Sequence, residues 1–268
     1  MPEFWQTICP IWFRVSGGYE LEGSGVLMKI GSRRFLLTAA HVVDRANGLS
    51  AYVGLPEGYV ELSGVTKATT PPSGNRDEDR VDLAFIALDA PVANAVETTY
   101  AFLPLSCVDV MDEGFEGTPY MVNGCPAKKV KKDGRTFRPS IYELQVTGRA
   151  HEKYSTFGVA PWTHIAMEFD RKKMTDGLGR SVVSPKLGGV SGGPVWKGIK
   201  IVQPDGSSAM TKRLVGIIIE HSEAKRTLVA TRISGALSGI GHAFPDIAAL
   251  IPKNPRLDIN CRDTQSSG

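Results

Sequence analysis

The stretch Gly188-Gly189-Val190-Ser191-Gly192-Gly193-Pro194-Val195-Trp196 decides how this chain is read. Five of its nine residues are Gly or Pro, types that accept or impose backbone angles that a residue with a Cβ finds costly. One serine stands in the middle. A turn of this kind holds a hydroxyl clear of the backbone and aims the amides of Gly189 and Ser191 at one point, as a developing oxyanion requires. A serine hydroxyl is a weak nucleophile and needs a base, itself oriented by a third group. Taken alone, the stretch also reads as a plain Gly-rich turn between strands, so the case rests on the residues upstream.

Two upstream segments supply the missing groups. Phe35-Leu36-Leu37-Thr38-Ala39-Ala40-His41-Val42-Val43-Asp44 is an apolar, strand-like run that ends in small residues and a histidine. In Arg80-Val81-Asp82-Leu83-Ala84-Phe85-Ile86-Ala87-Leu88 one acid opens an apolar run. Asp77 and Asp79 compete with Asp82 for the role of orienting acid. Asp82 is preferred because it abuts the strand, where its carboxylate is buried beside an imidazole, while the others sit in a polar loop.

The order T-A-A-H-V, D-L-A-F-I-A-L, G-x-S-G-G-P resembles the trypsin/chymotrypsin-like serine peptidases, over roughly residues 20 to 250. It is most similar to bacterial-type, intracellular members without the usual disulfides. The resemblance implies an all-β fold of two antiparallel six-stranded β-barrels, a chymotrypsin-like double barrel with a short C-terminal helix. It implies His41 as general base, Asp82 as the acid fixing its tautomer, Ser191 as nucleophile, and the Gly189 and Ser191 amides as oxyanion hole. The implied domains are 1–106, carrying His41 and Asp82, and 107–252, carrying Ser191, followed by a polar tail at 253–268.

Departures from the family pattern are informative. In members activated by cleavage, an aspartate that receives the new N-terminal ammonium precedes the nucleophile. Here it is Val190, so the oxyanion hole is expected to form without N-terminal processing. Secreted animal members carry a cysteine after the catalytic histidine, where this chain has Val42. The residues matching the walls of the specificity pocket are Ser184 and Pro185 on one side. On the other are Ile218, Ile219, Glu220 and His221. Ser184 and Pro185 place no charge at the pocket base, so small or apolar side chains are the expected substrates.

Composition agrees with a β-rich globular protein. With 42% hydrophobic residues in 268, a large core is affordable, and Gly 29 and Pro 17 suit many short strands joined by turns. A net charge of +3 gives no broad footprint for nucleic acid. Lys128 to Arg135 is basic but contains the Asp133-Gly134 hairpin signal and reads as a solvated hairpin tip. No apolar run reaches the roughly 18 to 20 residues that span a bilayer. The N-terminus lacks the pattern of a secretory signal. Cys9, Cys107, Cys125 and Cys261 are scattered without metal-ligand spacing, and a reducing, cytoplasmic setting is expected. Asp77-Glu78-Asp79 fits no calcium loop and reads as a solvated acidic turn. His151, His164 and His242 read as structural or surface residues.

The sequence thus predicts a peptidase with a protein or peptide substrate and no cofactor or metal. Two other classes fit the same residues: a catalytically silent peptide-binding double barrel, and a signalling or defence effector latent until an activating partner arrives. The long segment between Asp82 and Ser191 leaves room for regulatory loops.

Overall fold

The computed structural model describes residues 3–44, 50–71, 73–127, 131–133, 136–138, 140–175, 181–202, 206–254 and 261–263. Strands β1 (Ile8–Val15), β2 (Gly18–Ile30), β3 (Arg33–Ala39), β4 (Ala51–Leu55), β5 (Gly58–Glu61), β6 (Gly64–Thr69), β7 (Leu83–Leu88) and β8 (Leu103–Pro104) form the first half. Strands β9 (Pro119–Gly124), β10 (Lys131–Asp133), β11 (Thr136–Arg138), β12 (Tyr142–Gly148), β13 (His164–Glu168), β14 (Met174–Thr175), β15 (Ser181–Val182), β16 (Pro194–Val202), β17 (Ser208–Ser222) and β18 (Thr227–Arg232) belong to the second, and β19 (Cys261–Asp263) returns to the first. Helices are few: α1 (Ala40–Asp44), α2 (Ala90–Glu97), α3 (Ile233–Ala243) and α4 (Pro245–Ala248).

The second half closes into a six-stranded barrel in the order β12-β13-β18-β17-β16-β9. The first half is a nine-stranded sheet, β19-β6-β7-β3-β2-β1-β4-β5 with β8 added parallel to β2. Among the described residues this sheet is open, with β5 and β19 at its ends. The C-terminal segment expected to be a polar tail contributes β19, whose three residues pair antiparallel with β6 along its free edge.

The centre of the first sheet follows from its sequence. β3 is buried from Phe35 to Ala39 and β7 from Leu83 to Ala87, continuous apolar runs that suit strands covered on both faces. The β2–β3 hairpin turns at Gly31, whose φ of 58° suits a residue without a Cβ. β3 then runs straight into α1, which delivers His41.

A single core cluster spans both halves. Val26, Met28, Phe35 and Phe85 of the first sheet pack with Trp196, Leu214 and Ile217 of the barrel. Helix α3 covers that seam through Ile233, Ala236, Leu237 and Ile240, the i, i+3, i+4, i+7 stripe of an amphipathic helix. The family resemblance implied one short helix at the C-terminal end. The structure has α4 there and the longer α3 before it, which Gly235, Gly239 and Gly241 conceal because glycine is a poor helix former. α2 carries Pro91 in its first turn, where a missing N–H costs nothing. The basic hairpin exists as the β10–β11 pair, while its Asp-Gly turn falls partly outside the described residues.

Phe35 is fully buried and meets Phe85 and Phe244 at ring-centroid distances of 6.1 and 5.6 Å. Phe35→Ala is expected to lower stability by about 3–5 kcal/mol, with both halves melting in one transition. Denaturant titration followed by tryptophan fluorescence checks this, and two separated transitions would show that the seam is not one core.

Candidate active site

His41 and Asp82 meet. Asp82 Oδ2 accepts from His41 Nδ1 at 2.5 Å, and Oδ1 accepts from the His41 backbone amide at 2.8 Å. A carboxylate can only accept here, so Nδ1 carries the proton and Nε2 is left with a lone pair, as a general base requires. The Asp82 carbonyl accepts from Ala40 N at 2.9 Å, so both ends of the acid grip the start of α1. Asp82 is 7% exposed and His41 half-buried.

Asp82 stands at φ 45°, left-handed backbone rare for a residue with a side chain. The second barrel holds it there. Arg80 O accepts from His164 Nε2 at 2.5 Å, and Val81 O accepts from Thr231 Oγ1 at 2.6 Å. His164 and Thr231 are register partners on β13 and β18, so one rung of the barrel presents both donors. Asp79 Oδ1 takes the Val81 amide at 3.1 Å, while its other oxygen pairs with Arg76. His164, read from sequence as having no identifiable partner, thus has a defined one. Asp79 is an ion-pair and turn residue, and among the described residues no cluster of three or more His, Cys, Asp or Glu is arranged for a metal.

The Ser191 stretch is two consecutive turns. Val190 N donates to Leu187 O at 3.0 Å, and Gly193 N to Val190 O at 2.9 Å. The third residues of these turns, Gly189 and Gly192, have φ of 92° and 83°, near the roughly +80° of a type II turn, which favours glycine. Gly193 is needed for space, since a Cβ there would lie 2.1 Å from Asn123 O. Among the described residues, neither the Gly189 amide nor the Ser191 amide donates to any protein group. Their peptide planes explain why. Gly188 O is taken by Ala127 N at 2.8 Å and Val190 O by Gly193 N. In a planar trans peptide the N–H then points the opposite way.

Ser191 is half-exposed, and its turn lies on the first sheet: Ser24 N donates to Ser191 O at 2.8 Å. A Cβ at Gly23 would sit 2.6 Å from Val42, the residue after His41, and 3.2 Å from Ser191 O. Serine turn and base-bearing helix therefore share one junction. No hydrogen bond joins His41 to the Ser191 hydroxyl among the described residues.

A cleft of about 440 Å³ is lined by His41, Asp82, Arg80, Val159, Ile219 and Glu220, together with the Arg76 cluster. Of the expected pocket residues, Ile219 and Glu220 reach it, at a bulge in β17. Ile218 packs into the barrel core, Ser184 is buried with its amide on Arg171 O, and Pro185 is half-buried beside it. His221 packs edge-on against Phe169, and burial holds its imidazole below the usual pKa. Arg80, Val159 and Ser24 were not anticipated, since no motif marks them.

No protein-family model matches the sequence, and no curated protein matches it. Among solved structures the chain is similar to human heparin binding protein, at 14% identity and TM-score 0.53, covering 94% of this chain and 95% of that one. It is also similar to granzyme C, at 20% identity and TM-score 0.51, covering 85% and 89%. A thermostable serine protease from an extremophilic microorganism gives 15% identity, TM-score 0.48, and coverage of 85% and 91%. The first two show the fold, which is chymotrypsin-like.

Burial also holds the His164 pKa below its ordinary value, with a smaller push from Arg232 in the same direction. A group whose folded pKa is depressed favours the unfolded chain once that chain binds the extra proton, so its stabilising effect is full above about pH 6.5 and fades as pH falls. His164→Gln is expected to cost about 1–3 kcal/mol at pH 7.5 by disturbing a buried hydrogen bond. It should also flatten the decline of melting temperature between pH 7 and 5. An unchanged slope would show that His164 is not the titrating group.

Proposed function

We propose that the chain is a serine endopeptidase. The observation that carries this reading is one junction that holds both a tautomer-fixed imidazole and a half-exposed serine flanked by two unengaged amides. His41 Nε2 takes the proton from Ser191 Oγ as that oxygen attacks the scissile carbonyl. The carbonyl oxygen becomes an oxyanion held by the Gly189 and Ser191 N–H groups, whose directions are already set. The His41 imidazolium, stabilised by ionised Asp82, gives its proton to the leaving amine, and water then hydrolyses the acyl-enzyme by the same route. The substrate is a peptide or protein chain. Buried thiols at Cys9 and Cys125 fit the reducing, cytoplasmic compartment expected from the sequence.

A second reading has a specific observation behind it. The missing His41–Ser191 hydrogen bond suits a site completed by an activating partner, or a silent module that only binds peptide. A fold shared with a protein named for binding heparin is consistent with the latter.

A fluorophosphonate probe applied to wild type and Ser191→Ala separates these readings. Labelling of wild type alone is expected. Silence from both, with or without cell extract, would leave the binding module as the answer.

Val190 is buried in the barrel core, where no ammonium need reach it. This chain is therefore expected to be active without N-terminal trimming, and removing residues 1–7 should not raise its turnover. Residues 3–7 lead into β1 and set Phe4 on Trp196 at 4.9 Å. Activity appearing only after trimming, read with a peptide substrate, would overturn this point.

A further inference from the structure

We propose that Ser24, a residue of the first sheet, is a positioning residue for the oxyanion hole of the second barrel. The proposal rests on the peptidase reading above and deepens it. Ser24 is fully buried, and every polar atom it has is used at the seam. Its hydroxyl donates to Gly189 O at 2.7 Å and accepts from Cys125 N at 2.8 Å. Its amide donates to Ser191 O at 2.8 Å, and its carbonyl accepts from Thr38 Oγ1 at 2.8 Å.

These bonds bracket the two amides that receive the oxyanion. Ser24 Oγ fixes the carbonyl of Gly189, and Ser24 N fixes the carbonyl of Ser191. The segment Cys125–Ala127, tied down by the same hydroxyl, supplies Ala127 N to Gly188 O at 2.8 Å. Gly192 closes the contact: a Cβ there would lie 2.0 Å from Ser24 O and 2.2 Å from Thr38 Oγ1, so the turn presses on the Ser24 backbone. With one hydroxyl lost, the turn keeps its hydrophobic anchor at Val190 but loses the bond that sets the Gly189–Val190 plane, which lies between the two planes that carry the Gly189 and Ser191 N–H groups. Only the transition state carries charge at that position, so binding of the ground state should be little affected.

The test is Ser24→Ala beside wild type, with Ser234→Ala as control, because Ser234 is a buried hydroxyl on α3 without a hydrogen-bond partner. In a peptide-cleavage assay Ser24→Ala should lower kcat about 10- to 100-fold, less than or equal to the loss of one oxyanion donor. KM and the pH profile should stay as in wild type, and Ser234→Ala should change neither constant. Amide hydrogen exchange, read on the folded protein, gives an answer independent of activity. Val190 and Gly193 amides should exchange at least tenfold faster in Ser24→Ala, while those of Met28, on the same strand, stay protected. Unchanged kcat together with unchanged exchange at Val190 overturns the proposal, as does a rise in KM alone. If wild type neither cleaves nor labels, the peptidase reading fails, and the exchange result alone decides whether Ser24 holds the turn.

Discussion

A planar peptide that gives up its carbonyl on one side must present its N–H on the other, and this active-site candidate depends on that constraint. The Gly188–Gly189 and Val190–Ser191 planes each lose their carbonyl to a backbone amide, from Ala127 and Gly193 respectively. Both N–H groups are thereby directed away from the protein's own acceptors. Two linked turns with glycine at each third position are the local solution, and each glycine has an identifiable cause, either positive φ or lack of space. Substituting any of them strains the turn or drives a Cβ into backbone.

The acid is held by the opposite exchange. Where the first sheet lends Ser24 to the serine turn, the barrel lends His164 and Thr231 to the two carbonyls before Asp82. A left-handed aspartate costs on the order of 1–3 kcal/mol and persists only where its surroundings over-determine it. Here four bonds do so: those two, and the two that tie Asp82 Oδ1 and O to the first turn of α1. Each half takes part of the hold on its own functional residue from the other. The geometry exists only when sheet and barrel are docked, which the continuous core beneath α3 ensures.

Much of this was legible in the sequence. The Gly-rich turn with its serine, the apolar runs leading to His41 and from Asp82, and the pairing of His41 with Asp82 follow from local patterns. Asp82 was preferred over Asp79 because of the strand it opens, and Asp79 proves to be engaged with Arg76. What escaped is non-local or locally disguised. Ser24 sits 165 residues from Gly189, the carbonyl it serves, and Gly23-Ser24-Gly25 looks like any strand start. His164 carries no motif because its partner is a backbone carbonyl, and carbonyls leave no trace in residue identity. Helix α3 is hidden by its own glycines. Closure of the six-stranded barrel was expected only through the family resemblance, because closure depends on register, which single strands do not encode.

The choice of Val190 before Ser191 unites these observations. An acidic residue at that position would need a cation to be buried beside it. Val190 instead packs on Gly124, close enough that a Cβ there would lie 2.8 Å from Val190 Cγ1, and joins Val122, Val195 and Ile218 in the barrel core. The turn is thus anchored by apolar burial below and by neutral hydrogen bonds from Ser24 and Ala127 above. Neither anchor involves a titratable group or a free terminus. Salt screens exposed charges and leaves buried neutral contacts almost untouched, so the Gly189 and Ser191 amides keep their direction as long as the two halves remain packed. Control over such a site would act on the relation of His41 to Ser191 and on the cleft bordered by Arg80, Ile219 and Glu220, rather than on assembly of the turn.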